Sequence, residues 1–295
     1  MDAEYVGLLY SEKDFVINDK LDKQYSIVFN GSNFDRDRNN CFIPVNNRRE
    51  VELLLLSLGE EAGVIMDEPT CKLYPDVSDW LLKRTYSEIF TGLKWSYREE
   101  DEVVNIIERI PLPKTLGKGF LKMDRTDPEP PRIGREYVHK LKNESVLISK
   151  PYRCGNMYYF NGFKNSAEFT IDHDSDHLEG IIIFEIARQA GIASAHLEGM
   201  PFSGAIVILK TATRYQRFVE SGEPYLIRTI PAYKQKGGVG FCVYNIIQNG
   251  KSCVVGYFSV IAYNTKNTYH KFRNSQAIDK ITGGKIIDMQ QTAEL

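Results

Sequence analysis

Asp172-His173-Asp174-Ser175-Asp176-His177-Leu178-Glu179-Gly180-Ile181-Ile182-Ile183-Phe184-Glu185-Ile186-Ala187-Arg188-Gln189-Ala190-Gly191 is the stretch that decides the fold. A polar loop with two histidines runs into a segment that is apolar on nearly every side, yet carries Glu185, Arg188 and Gln189. Asp176 followed three residues later by Glu179 is a capping-box pattern, which predicts a helix starting near His177. Gly199 and Pro201 supply the stop. Apolar residues at 178, 181–184, 186, 187, 190, 192, 193 and 197 cover too wide an arc for a surface helix, so other structure must enclose it. An ionised carboxyl at 185 in such surroundings takes up a proton, finds a partner or reaches a wet edge. Arg188 and Gln189 stand three and four residues beyond it and can join it in one polar stripe.

What encloses the helix follows in the chain. Residues 204–216, 225–234, 239–248 and 252–263 are rich in Val, Ile, Tyr, Phe and Thr and read as consecutive antiparallel strands. Asn249-Gly250 suits the two positive φ angles of a tight hairpin, and Lys236-Gly237-Gly238 marks an earlier break. Ala167-Glu168-Phe169-Thr170-Ile171 reads as a further short strand ahead of the loop. A long buried helix followed by an antiparallel meander is the plan of an α+β hotdog domain, in which the sheet wraps the helix.

The segment Asp172-His173-x-x-Asp176-His177-x-x-Gly180, with Glu185, Ala187, Arg188, Gln189 and Ala190 behind it, resembles the signature of the A-factor biosynthesis (AfsA-like) hotdog family. Tyr137-Val138-His139-Lys140 and Ser145-Val146-Leu147-Ile148 are similar to the opening of that domain. The resemblance runs from near Arg132 to near Thr265; where the family usually places proline before the glycine, this chain has Glu179. It implies an acyltransferase that moves a β-ketoacyl group from acyl-carrier protein or CoA to a small hydroxylated acceptor, a phosphorylated hydroxyketone, on the way to a butenolide-type signal or secondary metabolite. No cofactor is implied.

The amino end of such a helix points backbone amides and a positive dipole at the loop, which suits a thioester carbonyl. Glu185 and His177 are then the catalytic candidates for proton transfer. Arg188, Gln189, Asp176, His173 and Gly180 are the substrate-binding candidates, with Arg188 facing a phosphate or a carbonyl. His177 has a plainer role open to it, as part of the loop's turn, bonded to Asp172 or Asp174. A non-catalytic acyl-binding or protein-interaction module is the alternative of a different class. A dehydratase or thioesterase is the nearest enzymatic one, although dehydratases place their histidine farther ahead of the helix glycine. His173 and His177 are four apart, but the cap puts only one of them on the helix, so no metal site is expected. His139 and His196 read as lone, packed or solvated histidines.

With 295 residues, 42% of them hydrophobic, the chain can bury a good core and is expected to divide into two units. A net charge of -2 without a basic run argues against a nucleic-acid partner. No segment approaches a membrane span and nothing resembles a signal peptide. Five scattered cysteines suit reduced thiols, so a cytoplasmic protein is expected. Pro128-Glu129-Pro130-Pro131 is the expected boundary between an N-terminal α/β region, residues 1–130, and the hotdog domain with its tail, residues 131–295.

In the first region, residues 6–10 and 25–30 read as strands, 31–47 as a loop, 48–63 as an apolar helix and 77–90 as a second helix. Aligning Ala62-Gly63 with Ala190-Gly191 sets Ser57 against Glu185, a hint of a degenerate second hotdog; an unrelated α/β region is the other reading. If the first region is not a hotdog, the open strand edge of the second predicts a homodimer. The tail 267–295 reads as a surface strand or helix with a frayed end.

Overall fold

An antiparallel sheet with both faces buried organises the molecule. The computed structural model describes residues 8–11, 14–17, 23–30, 41–84, 86–96, 99–116, 121–164, 175–232 and 238–276. The N-terminal region begins with strands β1 (Leu8–Ser11), β2 (Asp14–Ile17), β3 (Tyr25–Phe29) and β4 (Cys41–Val45). Helix α1 (Arg48–Leu58) follows, capped by the Asn47 side chain, which accepts from the Glu50 N–H at 2.9 Å. Strand β5 (Ala62–Asp67) comes next, then four short helices: α2 (Glu68–Leu73), α3 (Pro75–Leu82), α4 (Tyr86–Gly92) and α5 (Glu100–Ile107). The strands form one sheet in the order β1-β2-β5-β3-β4, with β3 parallel to both β4 and β5.

Three expectations for this region are corrected. Part of the expected loop 31–47 is strand β4. The helix expected to reach residue 63 ends at Leu58, because Gly59 takes a positive φ of 55° and turns the chain into β5. Ala62-Gly63 therefore lies in a strand whereas Ala190-Gly191 lies in a helix, so the alignment pairs unlike elements at its Ala-Gly anchor, although Ser57 and Glu185 both stand in helices. The second helix is two, α3 and α4. The β4-α1-β5 path is a crossover between strands parallel to β3, unlike the all-antiparallel plan of the second half.

The second half comprises β6 (Tyr152–Cys154), β7 (Met157–Asn161), the long helix α6 (Gly180–Leu197), β8 (Ala205–Tyr215), β9 (Leu226–Ala232), β10 (Gly238–Gln248), β11 (Lys251–Tyr263) and α7 (Lys266–Gln276). Its sheet runs β6-β7-β9-β10-β11-β8, every pair antiparallel. This is the hotdog arrangement expected from the meander. Asn249 and Gly250 take φ of 50° and 71° at the β10–β11 hairpin. The strand expected at 167–171 falls outside the described residues, as does most of the tail; its described part is α7.

Helix α6 begins at Gly180, not near His177. The backbone of 176–178 is already committed to an edge contact: the Leu178 N–H donates to the Val219 carbonyl at 2.8 Å, and the Asp176 carbonyl accepts from Ser221 at 2.9 Å. Groups paired sideways cannot also enter the helical ladder, so the capping box does not form. Glu179 is the cap residue, its carbonyl accepting from Ile182 and Ile183.

One sheet face packs on α6 through Ile227, Tyr244, Ile246, Val254 and Phe258, which meet Ile183, Ile186 and Ala190 in one core. Thr229 on this face bonds Ser194 of the helix at 2.7 Å. The opposite face, with Leu226, Ile230, Phe241, Val243 and Tyr257, shares a core with Leu54, Leu58, Val103 and Ile107 of the N-terminal region. Arg228 sits on that face, 1% exposed. Its guanidinium donates to the Ile107 carbonyl, to that of Ile110 at 2.5 Å and to Asn245 Oδ1 at 3.0 Å. The carbonyls at the C-terminal end of α5 thus solvate the charge. The two regions meet through a continuous core rather than through the proline segment alone.

Candidate functional site

The polar stripe on α6 forms as the i, i+3, i+4 spacing requires, and its carboxylate has found partners. Glu185, 8% exposed, accepts from Arg188 Nε at 2.6 Å and Nη2 at 2.7 Å, from Gln189 Nε2 at 2.9 Å and from Lys140 Nζ at 3.0 Å. Burial alone would raise the Glu185 carboxyl; the guanidinium, amide and ammonium outweigh it and hold the carboxyl down at about 2. Glu185 is therefore a fixed anion and a poor proton carrier near neutral pH. Gln189 is fully engaged as well: its amide donates to the Ser145 carbonyl at 3.0 Å and its oxygen accepts from the Leu147 N–H at 2.8 Å. It ties the 145–147 segment to the helix.

The other candidates lie elsewhere. His177 is half-exposed, its Nδ1 2.8 Å from Asp176 Oδ1 and its ring 4.9 Å from that of Phe218. The histidine bond draws the exposed Asp176 carboxyl below its ordinary range. Gly180 is the first residue of the helix, with the Tyr215 hydroxyl 3.2 Å from where a Cβ would stand. Five helical steps separate Gly180 from Glu185, roughly 7.5 Å at the α-helical rise. The structure thus brings Glu185, Arg188 and Gln189 together and leaves Asp176, His177 and Gly180 as a second group at the helix end. His173 lies outside the described residues.

Arg188 belongs to two environments. Besides its ion pair with Glu185, it borders an apolar cavity of about 60 Å³ between α6 and the sheet, with Gly191, Ile192, Ile208, Phe241 and Phe258 among its walls. A larger polar cleft of about 720 Å³ near Lys122, Arg125, Arg132 and Ser221 shares no residue with it. In that cleft Lys122 and Arg125 are paired to Glu129 and Glu223.

Sequence reading missed Lys140 and the joining of His139 with His196. The Nε2 atoms of these two histidines are 2.8 Å apart, and His196 Nδ1 is 2.9 Å from the Met200 carbonyl oxygen. The available signal was Tyr137-Val138-His139-Lys140, whose short 3-10 turn at Arg135–Val138 packs on α6. No group of three or more His, Cys, Asp or Glu side chains is placed to hold a metal ion among the described residues. The five cysteines are free thiols. No helix among the described residues is long and apolar enough to cross a membrane.

Among solved structures, the chain is similar to an uncharacterised protein of Pyrococcus horikoshii at 15% identity and TM-score 0.33, over 46% of this chain and 95% of that one. It is similar to a thioesterase of Haemophilus influenzae at 17% identity and TM-score 0.32, over 40% of this chain and 78% of that one. The PaaI protein of the E. coli phenylacetic acid degradation operon matches at 16% identity and TM-score 0.30, over 39% and 80%. No significant match was found among curated proteins. A family model, the A-factor biosynthesis hotdog domain, matches residues 121–262, which contain the sheet around α6 except the last residue of β11, the Glu185 stripe and both histidine groups. Over residues 121–262 this chain matches the A-factor biosynthesis hotdog domain family.

Proposed function

We propose that this chain binds an acyl thioester and transfers its acyl group, a β-ketoacyl group carried on acyl-carrier protein or CoA, to a small hydroxylated acceptor. The observation that carries the reading is Arg188: Glu185 clamps its guanidinium in a bidentate pair at the border of an apolar cavity. An acyl chain fits the apolar side, and a fixed guanidinium faces the carbonyl oxygen where negative charge develops during acyl transfer. The family description, A-factor biosynthesis, supports a butenolide-type signal or secondary metabolite as the product.

Glu185 acts in this reading by holding Arg188, not by exchanging a proton. Asp176, His177 and Gly180 lie at the positive end of α6, roughly 12 Å along the helix axis from Arg188. That is too far to act on the same carbonyl, and we assign them to the polar arm of the donor. Gln189 keeps the 145–147 segment seated beside the clamp. A non-catalytic acyl-binding module is the second reading, favoured by the complete pairing of the Glu185 carboxylate.

A second copy of the chain is the partner we propose along β8. This strand ends the sheet with one edge unpaired among the described strands, and Ile208, Leu209 and Tyr215 on it are 36%, 50% and 56% exposed.

Native mass spectrometry of the protein with β-ketoacyl thioesters of CoA and acyl-carrier protein, plus a phosphorylated three-carbon hydroxyketone, tests the reading. A bound thioester and a new ester mass are expected, with binding weakened about 10- to 100-fold in Arg188→Gln by loss of the charged donor. Binding without product supports the module instead. Absence of any thioester complex overturns both.

A further inference from the structure

We propose that His139 and His196 form a proton-transfer dyad, in which His139 Nδ1 takes the proton from the acceptor's hydroxyl; this rests on the acyl-transfer reading above. The tautomers follow from the hydrogen bonds. A carbonyl oxygen only accepts, so His196 Nδ1, 2.9 Å from the Met200 carbonyl, carries a hydrogen. In the neutral ring His196 Nε2 is then bare and accepts from His139 Nε2 at 2.8 Å. His139 Nε2 therefore carries the hydrogen, which leaves His139 Nδ1 as a lone pair.

Burial and packing fit this division of labour. His196 is 7% exposed, stacked on Phe202 at 4.7 Å and met edge-on by Tyr137 at 6.3 Å, so its ring cannot turn freely. His139 is accessible to solvent. It stands in the left-handed region at φ 56°, which is uncommon for a residue with a side chain. The adjacent Lys140 is anchored to Glu185, so one short segment presents a cation to the clamp and an imidazole to the dyad.

Lys140, next to His139 in the chain, joins the dyad's segment to the Glu185–Arg188 clamp. Partial burial, His196, Arg188 and Lys266 all disfavour protonation of His139, which keeps its lone pair available at neutral pH. The other charged groups around this face of α6 are the Glu185–Lys140 pair, and Glu198, held by Tyr158 and Arg153. In the step itself, the hydroxyl proton passes to His139 Nδ1 as the hydroxyl oxygen bonds the thioester carbon. The resulting oxyanion faces Arg188. Collapse breaks the carbon–sulfur bond, and the thiolate leaves with the proton from His139.

The test compares wild type, His139→Asn and His196→Gln. Asparagine tolerates a left-handed backbone and keeps a side-chain donor toward His196, so His139→Asn is expected to fold. Thioester binding by native mass spectrometry should be unchanged in it, while acyl transfer falls about 100-fold or more and the acidic limb of the pH–rate profile disappears. Nitrogen-15 NMR of the wild-type imidazoles should show hydrogen on His139 Nε2 and His196 Nδ1. The opposite tautomers, or turnover unchanged in His139→Asn, overturn the dyad and leave acyl transfer standing. A wild type that binds no thioester, or binds it without transfer, overturns the acyl-transfer reading and the base role with it.

Discussion

Replacing Glu185 by glutamine tests whether this carboxylate is a clamp or a proton carrier. A catalytic acid replaced by its amide would lose activity and keep its stability. The geometry requires otherwise, since the carboxylate accepts four contacts from Arg188, Gln189 and Lys140 at 2.6–3.0 Å in a nearly dry setting. A carboxyl drawn from 4.5 to about 2 on folding contributes roughly 3 kcal/mol at neutral pH. The folded value is the lower one, so this stability is fully present above about pH 4.5 and is lost as pH falls toward 2. At pH 3 about 1.4 kcal/mol remains by the same linkage. Urea unfolding of wild type and Glu185→Gln at pH 7, 5, 4 and 3 should show a gap of roughly 3 kcal/mol that narrows to about half in acid. Equal stability at pH 7, or a gap that does not change with pH, would refute the clamp.

Two further outcomes are expected. Arg228→Met leaves the carbonyls of Ile107 and Ile110 and the amide of Asn245 without their donor, and should cost about 2–4 kcal/mol in urea unfolding; a loss below 1 kcal/mol would mean that water replaces the guanidinium there. Light scattering should return a dimer for the wild type and a monomer for Leu209→Glu, which sets a charge on the open edge of β8; a monomeric wild type removes the dimer.

The C-terminal fold was legible because two periodicities agree there: a broad apolar arc over 178–197 and four β-rich runs divided by Asn-Gly and Gly-Gly breaks. The start of α6 was not legible. Asp176 and Glu179 satisfy a local capping rule, but Val219 and Ser221, some forty residues away, claim the backbone first. The same kind of long-range pairing explains β4, which reads as loop until β3 offers it a parallel neighbour. The β6–β7 hairpin went unread, although Gly155 with its positive φ of 59° between aromatic runs is a turn signal. At the site, the Glu185-Arg188-Gln189 stripe could be seen because it lies within one helix. Lys140 and the His139–His196 pair come together only through tertiary packing across 45 and 57 residues, so nothing in local spacing announces them.

Arg228 also bears on how the sheet finds its alignment. In most antiparallel sheets a slip by one residue turns oily side chains toward water, and that penalty enforces the pairing. Here β10 has oil on either side: Val243 enters one core, Tyr244 and Ile246 the other. A slipped β10 would exchange two hydrophobic interiors, and burial alone would resist it weakly. What resists it is the Arg228–Asn245 partnership across β9 and β10, since a slip would carry Asn245 away from a buried cation and aim an amide into the packing around α6. Arg228, the buried charge among the described strands of this sheet, thus serves as its alignment key.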